Sequence, residues 1–143
     1  MNDSQVSAEG DEFRRGRHVV SALHAHIVFV TKYRRGAITD RVREVLRQSA
    51  IDVCAGMNVT LRAFDGEDDH IRLLVEYPPS LALTRLVNSL KGVSSRRVRQ
   101  RKFPEVTKCL WGKHFWSPSY FVGSCGGPPI DIVKQYVENQ RKR

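Results

Sequence analysis

Two pairs of residues in this 143-residue chain have the types and spacing to do chemistry. The first is His70 and Arg72 in "DDHIRLLVEY", residues 68–77. The stretch reads as a β-strand, where residues two apart share a face, so His70 and residue 72 point one way and Ile71, Leu73 and Val75 the other. Two histidines so placed would form a divalent-metal site. An arginine does not, because guanidinium has donors, no acceptor and a permanent charge. The second pair is Tyr136 and Gln140 in "IDIVKQYVENQRKR", residues 130–143. On a helix they occupy one face, a turn apart, while Ile132, Val133 and Val137 supply an apolar stripe. Alone, a tyrosine so placed is also what ordinary packing produces.

The other reactive side chains read as ordinary structure. His24 and His26 in "HAHIVFV" share a face of an earlier strand, next to the strand of His70, and are expected to be plain strand residues rather than ligands. His18 and His114 have no partner by spacing and read as surface or loop residues. Cys54, Cys109 and Cys125 are odd in number, far apart and without C-x-x-C spacing, which argues against a disulfide framework or a zinc ribbon.

The positioning elements follow from periodicity and breakers. Residues 1–12 are polar and acidic, a tail expected to be disordered, ahead of one domain over 13–143. "HAHIVFV" is a strand ending in the basic turn "TKYRRG". "TDRVREVLRQSAIDVCAGMN" is a helix capped by Thr39 and Asp40 and stopped near Gly56. "NVTLRAFDG" and "HIRLLVEY" form a hairpin closed by Pro78 and Pro79. A second helix over "LALTRLVNSLKGVSSRRVRQRK" lines up Leu83, Leu86, Val87 and Leu90. An aromatic loop, "CLWGKHFWSP", leads to the strand "SYFVGSC", and "GGPP" separates it from the last helix. The order βαββαβ plus one helix predicts an α+β, ferredoxin-like (RRM-like) antiparallel sheet with helices on one face and a C-terminal helix carrying the tyrosine. His70 and Arg72 then lie on the open face.

Charge points to the partner. The net charge is +9 and the first 12 residues are acidic, leaving +13 on the remaining 131. Arg85 to Lys102 holds seven bases and no acid. Nucleic acid is the commonest partner of such a surface. Lys91, Arg96, Arg97, Arg99, Arg101 and Lys102 suit phosphates, with Ser94 and Ser95 as donors, and Lys32, Arg34 and Arg35 form a smaller cluster. Tyr33, Phe115, Trp116 and Tyr120 either stack unpaired bases or, with Trp111, fill a hydrophobic corner. No apolar run approaches the length of a membrane helix, and the N-terminus lacks a signal peptide, so a cytoplasmic or nucleoid address is expected.

Five segments in this order, "HIVFVTKYRR", "DDHIRLLVEYPPS", "LVNSLKGVSSRR", "LWGKHFWSPSYFVGSCGG" and "IVKQYVENQ", resemble the IS200/IS605 family of single-tyrosine transposases. These belong to the HUH nucleases, named for a histidine pair flanking a hydrophobic residue. The likeness runs from about His24 to Gln140. It implies that Tyr136 is the nucleophile on single-stranded DNA with hairpin structure, yielding a 5′-phosphotyrosine and a free 3′-hydroxyl. It implies that His70 and Gln140 are ligands to Mg²⁺ or Mn²⁺, that Arg72 stands where the family has its second histidine, and that the protein is a homodimer whose tyrosine helix can serve either subunit. "GGPP" would be the hinge. At ~5 Å from a dication and an effective dielectric of ~20, Arg72 would add roughly 7 kcal/mol of repulsion before swinging away. Weakened metal binding and cleavage are therefore expected, the alternative being that Arg72 itself contacts the phosphate. A silent hairpin-binding protein of the same fold is the rival reading.

Overall fold

Residues 14–15, 20–21, 23–110, 114–124 and 137–139 are described by a computed structural model. Two short strands, β1 (Arg14–Arg15) and β2 (Val20–Ser21), pair antiparallel, a ribbon that the sequence pattern does not announce. The main sheet contains β3 (His24–Thr31), β4 (Thr60–Glu67), β5 (His70–Glu76) and β6 (Trp116–Ser124) in the order β4-β5-β3-β6, each neighbouring pair antiparallel. This is the expected ferredoxin-like arrangement.

Helix α1 (Asp40–Gly56) starts where Thr39 accepts a hydrogen bond from the Val42 amide, as an N-cap should. Helix α2 (Leu83–Arg101) ends at Lys102 in the left-handed conformation. A third helix, α3 (Pro104–Cys109), begins on a proline, whose missing amide costs nothing in a first turn. No helix among the described residues is long and apolar enough to cross a membrane.

The helices cover one side of the sheet. Ala25, Ile27 and Phe29 of β3, Ile71, Leu73 and Val75 of β5, and Leu86, Val87, Leu90 and Val98 of α2 share one core. Each large apolar side chain so buried contributes about 1.5–3 kcal/mol. On the other face Val28 and Val30 join Phe121 and Val137 in a small separate cluster.

Register then fixes the site. A two-residue turn, Asp68–Asp69, joins β4 to β5, and Glu67 pairs with His70. The approach is close: a Cβ on Gly66 would lie 2.3 Å from the His70 carbonyl oxygen, so glycine is required there. Across β3, Val30 faces His70 and Val28 faces Arg72.

Candidate active site

The segment "TKYRR" and the turn before His70 are stitched together. The Thr31 amide donates to the Asp69 carbonyl at 2.9 Å, and the Thr31 hydroxyl, which donates to the Arg35 carbonyl at 2.6 Å, lies 3.2 Å from the same Asp69 oxygen. The Ile38 amide donates to the Asp68 carbonyl at 2.8 Å. Between these anchors Tyr33 and Arg34 are both left-handed, at φ 59° and 52°. That conformation is costly for residues bearing side chains. Here Tyr33 is 73% exposed, whereas the Arg34 side chain is only 5% exposed.

Arg34 Nη2 forms an ion pair with Asp69 Oδ2, and Asp69 Oδ1 lies 2.9 Å from Nδ1 of His70. A carboxylate only accepts. Neutral His70 therefore carries its proton on Nδ1 and presents Nε2 as a lone pair.

Arg72 behaves differently. Its Nε donates to Asp65 Oδ1 at 2.9 Å, directly across the hairpin. Arg72 is partly exposed and Asp65 exposed, and both border an open depression of about 270 Å³ with His26, Val28, Ala63 and Leu74. Among the described residues no three His, Cys, Asp or Glu side chains cluster as metal ligands. Beside the guanidinium they offer a divalent ion one imidazole nitrogen and the Asp65 carboxylate, itself paired with Arg72, because both Asp69 oxygens are engaged by His70 and Arg34. That donor set does not fit Mg²⁺ or Mn²⁺ as two histidines would.

His24 does not make up the deficit, while His26 shares the depression with Arg72 but belongs to no three-residue ligand cluster among the described residues. His24 lies opposite Glu76, six residues along β3 from the position facing His70, a separation of roughly 20 Å in a strand. Its Nε2 is 3.5 Å from Glu76 Oε1, which also accepts from Arg62 Nε at 3.0 Å.

Tyr136, Gln140 and the "GGPP" hinge at 126–129 lie outside the described residues. Their neighbour Val137 does not. It is helical, 7% exposed and packed with Val28 and Val30, the β3 residues that pair with Arg72 and His70. Its carbonyl accepts from Arg34 Nη1 at 3.2 Å.

The expected basic surface is only partly free. Arg35, Arg96, Arg99, Arg101 and Lys102 are exposed, and Lys32 is partly so. Arg97 is paired with Asp52 at 2.7 Å, which holds that carboxyl below its ordinary range. Lys91 donates to the carbonyls of Ser117 and Pro118, and partial burial lowers its pKa. The Ser95 hydroxyl bonds back to Gly92. Two expected phosphate contacts are buried instead: Arg34, and Ser94, which donates to the Leu90 carbonyl and accepts from Trp116 Nε1 at 3.0 Å.

Phe115 and Trp116 are core residues, packed edge to face at 4.6 Å, and Tyr120 leans on Phe29. Trp111 and Cys125 fall outside the described residues. Tyr33 keeps its exposed ring, with Lys32 and Arg35 within about 6 Å of its centre. The Cys54 thiol is pushed up by burial to about 12 and is inert as a nucleophile or ligand.

The chain is similar to known proteins. The family described as "Transposase IS200 like" matches residues 19–140. The ISDra2 transposase TnpA of Deinococcus radiodurans is 28% identical over 132 residues, spanning 92% of this chain and 94% of its own. The transposase for insertion sequence element IS200 of Salmonella typhimurium is 30% identical over 115 residues, 80% of this chain and 74% of its own. A crystal structure of a candidate transposase from Deinococcus radiodurans superposes with a TM-score of 0.79 at 31% identity, covering 89% of this chain and 97% of that one. A REP-associated tyrosine transposase bound to a REP hairpin shares the fold, with a TM-score of 0.54 at 13% identity over 85% of this chain and 67% of its own.

Proposed function

Because the chain belongs to the family of IS200-like transposases, we propose that it binds the hairpin ends of a mobile element as single-stranded DNA and cuts and rejoins them through Tyr136. The step balances without an energy cofactor. The phenolic oxygen of Tyr136 attacks a phosphorus, the bond to the 3′ oxygen breaks, and that oxygen leaves as a hydroxyl after taking a proton. The 5′ phosphate remains on the tyrosine until a second 3′-hydroxyl reverses the exchange.

The observation that carries this reading is the seat of Val137. The residue following the tyrosine packs over the two β3 positions that face His70 and Arg72, with its carbonyl held by Arg34. A helix delivered there brings a nucleophile toward the open face of the sheet. On that face the Asp69 contact at Nδ1 leaves Nε2 of neutral His70 as an acceptor. A hairpin-bound relative of the same fold is consistent with a hairpin ligand. Arg35, Arg96 and Arg99 supply phosphate contacts, and Tyr33 a stacking surface for an unpaired base.

Cleavage is weak in this reading. A free phenol has a pKa near 10, so Tyr136 needs activation, and Arg72 removes one of the ligands that Mg²⁺ or Mn²⁺ would use. Its charge is instead neutralised by Asp65. Arg72 also favours a second reading, a silent hairpin-binding protein that grips DNA or RNA without cutting. The protein acts as a homodimer on the first reading, and light scattering at micromolar concentration should give twice the chain mass.

The deciding experiment incubates the full chain with a hairpin-bearing single strand and manganese, then seeks a protein–DNA adduct that survives denaturation. An adduct in the unaltered chain that is lost in Tyr136→Phe supports the transposase. Tight, salt-sensitive binding with no adduct supports the silent binder instead.

A further inference from the structure

A buried polar chain runs through the site: the Val137 carbonyl, Arg34, Asp69 and His70. The transfer step uses His70 but gives Arg34 and Asp69 no part. We propose that these two are positioning residues, Asp69 fixing the tautomer and aim of His70, and Arg34 coupling that setting to the docking of the segment that follows Tyr136. The inference rests on the transposase reading above.

Burial is the first argument. The side chains of Arg34, Asp69 and His70 are 5%, 8% and 4% exposed. Desolvating such charges roughly cancels their mutual attraction, so apolar residues would stabilise the fold as well or better. Arg34 Nε also lacks a hydrogen-bond acceptor among the described residues, and Nη2 meets Asp69 as an ion pair rather than as a hydrogen bond. A network shaped for stability alone would not retain that unsatisfied donor.

Geometry is the second. Asp69 is held at both ends, its carbonyl by Thr31 and its carboxylate by Arg34. It therefore presents a fixed acceptor to Nδ1, the ring nitrogen nearer the backbone, and leaves Nε2 outermost. Arg34 reaches this position from a segment in which Tyr33 and Arg34 both adopt the left-handed conformation, at φ 59° and 52°. Strain of that sort persists where surrounding contacts demand it.

Connectivity is the third. Arg34 and Val137 are 103 residues apart in sequence, yet Nη1 of one meets the carbonyl of the other at 3.2 Å. One guanidinium thus touches both the support of the imidazole and the chain next to the nucleophile. The guanidinium therefore ties the seat of that chain segment to the support of His70.

The test uses full-length protein labelled with ¹⁵N-histidine and conservative variants, with thermal melts confirming that each folds. In the unaltered chain, long-range ¹H–¹⁵N spectra should show His70 as the Nδ1-protonated tautomer. Asp69→Asn should abolish that preference. Arg34→Lys should preserve the tautomer but speed amide exchange at residues 137–139 at least tenfold. Both should lower the rate of adduct formation roughly 10–100-fold with hairpin affinity unchanged, the usual size of a ligand-support effect. An unchanged His70 spectrum in Asp69→Asn, or unchanged exchange in Arg34→Lys, overturns the proposal. So does an adduct rate that neither variant moves. Absence of any adduct in the unaltered chain would instead overturn the transposase reading, while the spectra, which need neither DNA nor metal, still report on the network.

Discussion

The ladder between β3 and β5 carries, near its two ends, two clusters made of the same side-chain types. One contains His24, Glu76 and Arg62; the other contains His70, Asp69 and Arg34. Both acids are buried and both arginines are nearly so. The difference lies in which imidazole nitrogen meets the acid. Glu76 lies against Nε2 of His24, the outer nitrogen, whereas Asp69 takes Nδ1 of His70, the inner one. The first arrangement spends the atom best placed to reach a ligand; the second reserves it. An inventory of residue types does not distinguish the two, and only one is tied to Val137 by a described hydrogen bond.

That contrast can be broken most forcefully by deleting each acid. Asp69→Ala and Glu76→Ala should each lower stability by about 3–5 kcal/mol in urea titrations, because each strands a buried arginine. Their effects on function should diverge. At a temperature where both variants are folded, adduct formation should collapse for Asp69→Ala and persist for Glu76→Ala. Equal loss in both would mean that the two clusters are alike and merely structural.

A smaller effect tests the open face between them. Arg72→His restores a potential second ligand beside His70, and manganese titration should show affinity raised about tenfold or more, near 1.4 kcal/mol. Identical manganese affinity in the two proteins would show that Arg72 is not what weakens the site.

The smallest effect concerns an exposed ion pair, as a foil to the buried ones. Glu105 accepts from Arg41 and Thr39, and those hydrogen bonds, the one from Arg41 first, draw its carboxyl from the ordinary 4.5 to about 2. A depressed carboxyl pKa stabilises the fold above the unfolded value, and that contribution is lost as pH falls from 4.5 toward about 2. Melting temperatures of Glu105→Gln should therefore fall less across this window than those of the unaltered chain. The difference should be slight, since solvent screens such pairs.

Much of this architecture was legible in the sequence. Alternation in "HIRLLVEY", the Thr39 cap and the prolines at 78–79 give elements that the structure reproduces, and the strand order follows from the βαββαβ arrangement. Less regular signals were missed. Helix α3 is announced by little beyond Pro104 and Glu105, and β6 begins at Trp116 because Pro118 sits on an edge strand, where a missing donor is tolerated.

The site was only half visible, for a physical reason. Arginine and serine are surface residues by type, so Arg34 and Ser94 looked like phosphate contacts. Ser94 in fact continues the stripe of Leu90 at helical spacing, a clue that was available. For Arg34 no local pattern could help, since its partners lie on a hairpin turn and near the far end of the chain. The role of Asp69 likewise depends on what surrounds it.

The short turn between β4 and β5 has one last consequence. His70 opens its strand directly after Asp69, and Gly66 leaves no slack across the hairpin. Side chains alternate with strict parity, so adding or removing one residue here would swing the imidazole into the oily interior and turn Ile71 out to water. Loop length, usually the most forgiving variable in a protein, is at this spot as exacting as the identity of the histidine.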